Sequence, residues 1–169
     1  MTRPWPLLLV LSIAAGGCAS TGAVPAPFPT PRHAPTARPD DEIVAGGTSS
    51  GAIVDTAMAL RGAPYRNGGG DPSGFDCSGF VVYVFARHGV LISRTVAGQF
   101  REGQAVPEDQ LQPGDLVFFS TVAPGASHVG IAIGGDAFVH APSERGEVRV
   151  EHLSTPYWST RYVGARRIS

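Results

Sequence analysis

Hydrophobic and polar positions divide the chain into three stretches. Leu7 to Ala15 reads LLLVLSIAA, a nearly unbroken apolar run behind one positive charge at Arg3. It is too short to cross a bilayer as a helix. With the small residues Gly16, Gly17 and Cys18 behind it, residues 1–18 have the shape of a secretory signal. Residues 19–50 have almost no apolar period and carry six prolines. Proline cannot propagate a helix or a central strand, so this stretch predicts a solvated tether reaching up to ~100 Å. Patterned sequence returns over residues 51–169, a normal length for one small domain.

Within 51–169 the pattern predicts helices first and strands after. Ser50 can cap a helix over Ala52 to Arg61, where Ile53, Ala57 and Leu60 share a face, and Gly62 and Pro64 end it. A glycine-rich loop follows from Tyr65 to Phe75. A second helix starts at Asp76 or Cys77, runs to His88 and closes at Gly89. Its interior, Phe80 to Phe85, is apolar on every side, which predicts burial all round. A short helix is expected near Val96 to Arg101. Strands are expected over Asp115–Ser120, Val129–Ile133, Ala137–His140, Glu147–Val150 and Arg161–Ile168. Turn signals at Gln112-Pro113-Gly114, Pro124-Gly125 and Gly134-Gly135-Asp136 lead into the first three. This order is the α+β pattern, with helices packed on an antiparallel sheet.

Composition and charge narrow the function classes. With 43% hydrophobic and 16% charged residues, the chain is not wholly disordered. Thirteen basic and 14 acidic residues leave a net charge of −1, which argues against a nucleic-acid partner. Every basic residue is Arg, so a lysine nucleophile or Schiff base is excluded.

Cys18, directly after two glycines at the end of the apolar run, resembles the lipidation site of a bacterial lipoprotein signal. Ala15 stands three residues before it, where Leu is commoner. The resemblance implies a membrane anchor through lipid on Cys18. Ala19, in place of an Asp, implies sorting to the outer membrane, with the domain facing the periplasm. The alternative is an ordinary signal cleaved near Ala19, which releases a soluble protein. No wall-binding repeat precedes the domain, so targeting is expected to rest on the tether or on an adaptor or regulator protein.

Setting Cys18 aside leaves one cysteine, Cys77, without a disulfide partner. It falls at the predicted start of the buried helix, where free N–H groups and the helix dipole favour a thiolate. The competing reading is an inert buried thiol. A thiol nucleophile works with a histidine. Of the five histidines, His33 is in the tether, His88 ends a helix where a cation suits the dipole, and His152 lies among polar residues near a strand end. His128 starts one strand and His140 ends the next, across a tight turn. One end of a hairpin should therefore carry both, about 3 Å apart if they share a face. A zinc site of Cys77, His128 and His140 lacks the short ligand spacing of such sites, so no metal is expected.

Asp76-Cys77-Ser78-Gly79-Phe80, preceded by Gly62-Ala63-Pro64-Tyr65 and Gly68-Gly69, resembles the NlpC family of papain-like bacterial cell-wall peptidases. Leu111 to Phe119, His128-Val129-Gly130-Ile131 and Phe138-Val139-His140-Ala141 follow in the family's order, and Arg94 and Gln99 match a further helical block. The resemblance covers essentially all of 51–169. It implies a papain-like fold with the cysteine helix packed on an antiparallel sheet. It implies Cys77 as nucleophile, His128 as base and His140 as the residue orienting His128, with no cofactor.

By the same resemblance, the substrate is an amide of a peptidoglycan stem peptide. The bond is the one between γ-D-glutamate and a diamino acid, or else the D,D cross-link. The Tyr65 hydroxyl and the Cys77 N–H would hold the oxyanion. Asp76 and Ser78 would meet substrate, although Asp76 also suits a helix N-cap and would oppose thiolate formation. Arg66 and Arg94 could meet stem-peptide carboxylates but read more readily as solvated surface charges, and Tyr157 and Trp158 read as packing at the end of the domain. The alternatives are a catalytically silent wall-binding scaffold and an amidase or acyltransferase of the same fold.

Overall fold

The computed structural model describes residues 50–143 and 146–169. The signal stretch, Cys18, the tether and His33 lie outside the described residues. Among the described residues there are four α-helices: α1 (Ser50–Ala59), α2 (Cys77–Ala86), α3 (Val96–Gln99) and α4 (Pro156–Ser159). A two-stranded hairpin pairs β1 (Gly70–Asp71) with β2 (Gly74–Phe75). The main sheet contains β3 (Gln104–Val106), β4 (Leu116–Phe119), β5 (His128–Gly134), β6 (Ala137–His140), β7 (Arg149–His152) and β8 (Tyr162–Arg167). Its order is β3-β8-β4-β5-β6-β7 and every pairing is antiparallel.

Strand alternation sorts the core into two layers. Leu116 and Phe118 of β4, Val129 and Ile131 of β5 and Val139 of β6 pack on Ile53, Ala57, Phe80, Val81, Val84 and Phe85 of α1 and α2. The intervening residues Val117, Phe119, Ala132 and Phe138 point the other way and form a smaller cluster with Leu153, Trp158 and Ala165. Asp115, 1% exposed, ties the turn before β4 to the last strand. Arg167 Nε and Nη2 each donate to its carboxylate at 2.8 Å, and the Gln112 N–H donates at 2.8 Å.

The start of α2 is held in place by contacts made before the helix begins. The Asp76 carboxylate caps it by accepting from the Gly79 N–H at 2.7 Å. The Asp76 N–H donates to the Gly69 carbonyl at 3.1 Å. Gly79 itself lies against that carbonyl, and a Cβ placed there would sit 2.0 Å from the Gly69 oxygen. The glycine after the cysteine therefore lets the helix meet the loop, and its backbone angles are ordinary.

Several expectations need correction. The Tyr65–Phe75 loop contains the β1–β2 hairpin. β3 was not expected, being a short edge strand without apolar alternation. The strand expected over Glu147–Val150 runs instead over Arg149–His152, because Glu147 forms an isolated bridge with Pro64. The second helix ends at Ala86, and Val82 and Tyr83 on it are only half-buried.

Gly79→Ala should cost about 2–3 kcal/mol, because the new methyl group meets backbone rather than a side chain that can turn away. Urea unfolding checks this, and an unchanged midpoint would contradict the packing described.

Candidate active site

α2 brings Cys77 to the end of the sheet where β5 begins. The thiol is half-buried, and the N–H of Val129, the residue after His128, is among the backbone groups acting on it. Cys77, His128 and Tyr65 line one small cavity of about 80 Å³, together with Thr121, Val122, Ser127 and Ser143.

The β5–β6 register places the two histidines. Ile131 pairs with Val139, so His140 stands across from Gly130, two residues along from His128 and on the same face. His128 Nε2 and His140 Nδ1 are 2.7 Å apart. Both rings are buried, and His140 Nε2 has no hydrogen-bond partner among the described residues. Gly130 gives His140 its room. A Cβ there would lie 2.7 Å from the Phe138 ring and 3.3 Å from His140 Cβ.

Trp158 was expected to pack the end of the domain. It stacks on His128 instead, with centroids 5.6 Å apart and planes at 23°, and His140 meets it edge-on at 5.1 Å and 86°. Arg94 was also misjudged as a solvated charge. Its Nη2 donates to Asp76 Oδ2 at 2.6 Å, and its Nη1 donates to Asp76 Oδ1 at 2.9 Å and to Ser78 Oγ at 2.8 Å. Arg66 pairs with Asp71 on the surface at 2.7 Å. Gln99 is buried and donates to the Ser78 and Ser93 carbonyls, which fixes the first turn of α2 from behind. His88 bonds Thr56, and His152 bonds Asp136 on the surface, so neither joins the site.

Electrostatics reverse one expectation. Burial pushes the Cys77 thiol up, and the neighbouring Asp76 charge pushes in the same direction. The N–H groups of Ser78, Val129 and Cys77 itself oppose this without overcoming it. The helix-start argument had the right contributors but left out desolvation. Burial also works against the charge on Asp76, yet Arg94 and the Gly79 N–H hold its carboxyl below the usual range. Burial lowers His128 to about 4. Burial, followed by the charges of His128 and Arg149, lowers His140 further, to about 2. The resting site is therefore a neutral thiol beside two neutral imidazoles. Among the described residues, no group of three or more His, Cys, Asp or Glu is placed to hold a metal ion.

A half-buried thiol at the start of a helix, with a histidine on the adjoining antiparallel sheet, defines a papain-like α+β fold. Residues 62–167 match the NlpC/P60 family, and the chain belongs to that family. It is 41% identical over 115 residues to the probable peptidoglycan endopeptidase LytE of Bacillus subtilis, covering 68% of this chain and 33% of that protein. It is also 41% identical over 120 residues to the murein DD-endopeptidase MepH of Escherichia coli, covering 68% of this chain and 44% of that one. The crystal structure of an NlpC/P60 family protein from Bacillus cereus superposes with a TM-score of 0.65 at 37% identity, covering 70% of this chain and 40% of that chain. The chain thus spans less than half of each of these relatives.

Two measurements test the electrostatics. The pH dependence of Cys77 alkylation should have a midpoint above the ordinary thiol range, and Asp76→Asn should move it down. A thiolate already formed at neutral pH would contradict this. Stability should fall on acidification. An unfolded histidine takes its proton near pH 6.5, whereas folded His128 takes one only near 4, so the unfolded state binds more protons between those values. The thermal midpoint should drop across that window, and less steeply in His140→Gln. Equal slopes for the two proteins would contradict the buried neutral pair.

Proposed function

We propose that this protein is a cysteine peptidase that hydrolyses amide bonds in the stem peptides of peptidoglycan. The observation that carries the reading is the shared cavity of Cys77 and His128, with His128 Nε2 tied to His140 at 2.7 Å. The two relatives described above, both named as cell-wall endopeptidases, support the substrate class.

The reaction proceeds in two halves. The thiol keeps its own proton at rest, so its partner must offer a bare nitrogen. Nε2 of His128 is engaged by His140, which leaves Nδ1 as that nitrogen. Nδ1 takes the thiol proton as Sγ bonds to the amide carbon. The developing oxyanion is held by the Cys77 N–H and the Tyr65 hydroxyl. As the C–N bond breaks, the proton passes from Nδ1 to the departing amine, leaving a thioester on Cys77. Water then attacks the thioester while Nδ1 takes its proton. The carboxylic acid leaves and the proton returns to sulfur. His140 acts as a positioning residue that holds the His128 ring and its tautomer, and Trp158 holds the same ring from its face. No metal or cofactor enters the scheme.

Asp76 and Ser78 flank the acyl half of the substrate, where the Asp76 carboxylate suits a free α-amino group. The scissile bond is either γ-D-glutamyl–diamino acid or the D,D cross-link. The name of the Escherichia coli relative favours the second. The protein acts in the cell envelope, with lipid on Cys18 anchoring it to the outer membrane on the periplasmic side.

Cys77→Ala should lower the release of soluble fragments from purified peptidoglycan by about 10⁴-fold while leaving the fold intact. His128→Ala should approach the same loss, and His140→Asn should cost less than His128→Ala. Mass spectrometry of the released fragments measures all three and identifies the bond. Undiminished release by Cys77→Ala would overturn the reading.

A further inference from the structure

The chain is pinned on both sides of Arg94. The Ser93 N–H donates to the Glu102 carboxylate at 3.1 Å, and the Ser93 carbonyl accepts from Gln99 Nε2 at 2.8 Å. Thr95, the next residue along, caps α3 by accepting from the Gly98 N–H at 3.1 Å. Gln99 is fully buried, and the same Nε2 donates to the Ser78 carbonyl at 3.1 Å. One buried amide therefore ties the peptide before Arg94 to the first turn of α2. A solvated surface charge has no use for such fixing.

Held there, the guanidinium reaches both chain neighbours of the nucleophile. Nη1 donates to Asp76 Oδ1 at 2.9 Å and to Ser78 Oγ at 2.8 Å. Nη2 donates to Asp76 Oδ2 at 2.6 Å and to the Gly69 carbonyl at 3.1 Å. Gly79 leaves the space for it, since a Cβ there would lie 3.0 Å from Nη2. Among the described residues, the charged and titratable groups around the thiol come from several elements. They are Asp76 on the cap of α2, Arg94 before α3, Tyr65 before β1 and His128 on β5, with His140 and Arg149 beyond it on β6 and β7. Of these, Arg94 is the cation bonded to both residues that flank Cys77.

We propose that Arg94 is a positioning residue for the nucleophile: it offsets the Asp76 charge beside Cys77 and favours the sulfur anion as that anion forms during attack. Asp76 can then cap the helix without silencing the thiol next to it. The attraction runs both ways, since charge on Asp76 and on Cys77 holds the guanidinium more firmly protonated. The competing role is a latch that joins the glycine loop to α2 by its hydrogen-bond fork alone. Arg94 is 45% exposed, which would screen a plain surface pair, but the Asp76 side chain it grips is only 15% exposed. The inference deepens the functional reading above and rests on it for the step in which Cys77 attacks.

The test follows alkylation of Cys77 by iodoacetamide against pH in the full chain, with urea unfolding beside it. Arg94→Gln should raise the alkylation midpoint and slow the reaction at neutral pH by about tenfold. Arg94→Lys keeps the charge and loses the fork, so its midpoint should stay near that of the wild type even where its urea midpoint falls. Adding Asp76→Asn to Arg94→Gln should bring the alkylation midpoint back down. Fragment release from purified peptidoglycan should follow the same order, with the loss in kcat rather than KM. An unshifted midpoint in Arg94→Gln, or a lysine variant that reacts as the glutamine variant does, would overturn the inference and leave the latch. If Arg94→Gln does not fold, the lysine variant decides: a midpoint near wild type supports the inference and a raised one overturns it. The expected order of alkylation without any cleavage of the wall would overturn the functional reading alone.

Discussion

The bond between His128 Nε2 and His140 Nδ1 is the constraint on which the rest of the site depends. It engages one of the two nitrogens of His128 and, in the mechanism proposed above, leaves the other for the sulfur. It also explains features that are costly in isolation. Two imidazoles are buried where neither can easily carry charge, and Gly130 opens the strand so that the second ring fits beside the first. Trp158 closes the stack from below and gives His128 a flat apolar floor. A ring held on its edge by a hydrogen bond and on its face by an indole has little freedom to turn away from the thiol.

The other half of the site is built from backbone rather than side chains. Gly69 and Gly79 bring a loop carbonyl against the first turn of α2, and the Asp76 cap fixes where that turn begins. Arg94 neutralises the capping carboxylate and binds Ser78 with the same guanidinium. Without Arg94, a carboxylate next to the thiol would oppose ionisation more strongly still. The site therefore tolerates an unfavourable charge for its structural use and limits the effect with a paired cation.

How much of this was legible in the sequence depended on whether the cause was local. The histidine pair was readable because a three-residue glycine turn forces two strands into one hairpin, and residue parity then decides the face. The helix start at Cys77 was readable from the apolar run behind it and the glycine loop before it. Trp158 was not, because α4 reaches His128 through packing against Phe119 and Phe138, which no local pattern encodes. The Arg94–Asp76 pair joins residues 18 apart in the chain, with the whole of α2 between them. The direction of the thiol shift was misread for a related reason. A helix start can be seen in sequence, but the desolvation around it cannot.

A cavity lined by both Cys77 and His128 fits the proposed reaction, in which one imidazole serves both departing amine and entering water. Nitrogen NMR of ¹⁵N-histidine-labelled protein at neutral pH measures directly where the resting protons are. His128 should be neutral, with Nε2 protonated toward His140 and Nδ1 bare. A His128 ring protonated on both nitrogens, or carrying its one proton on Nδ1, would contradict the account.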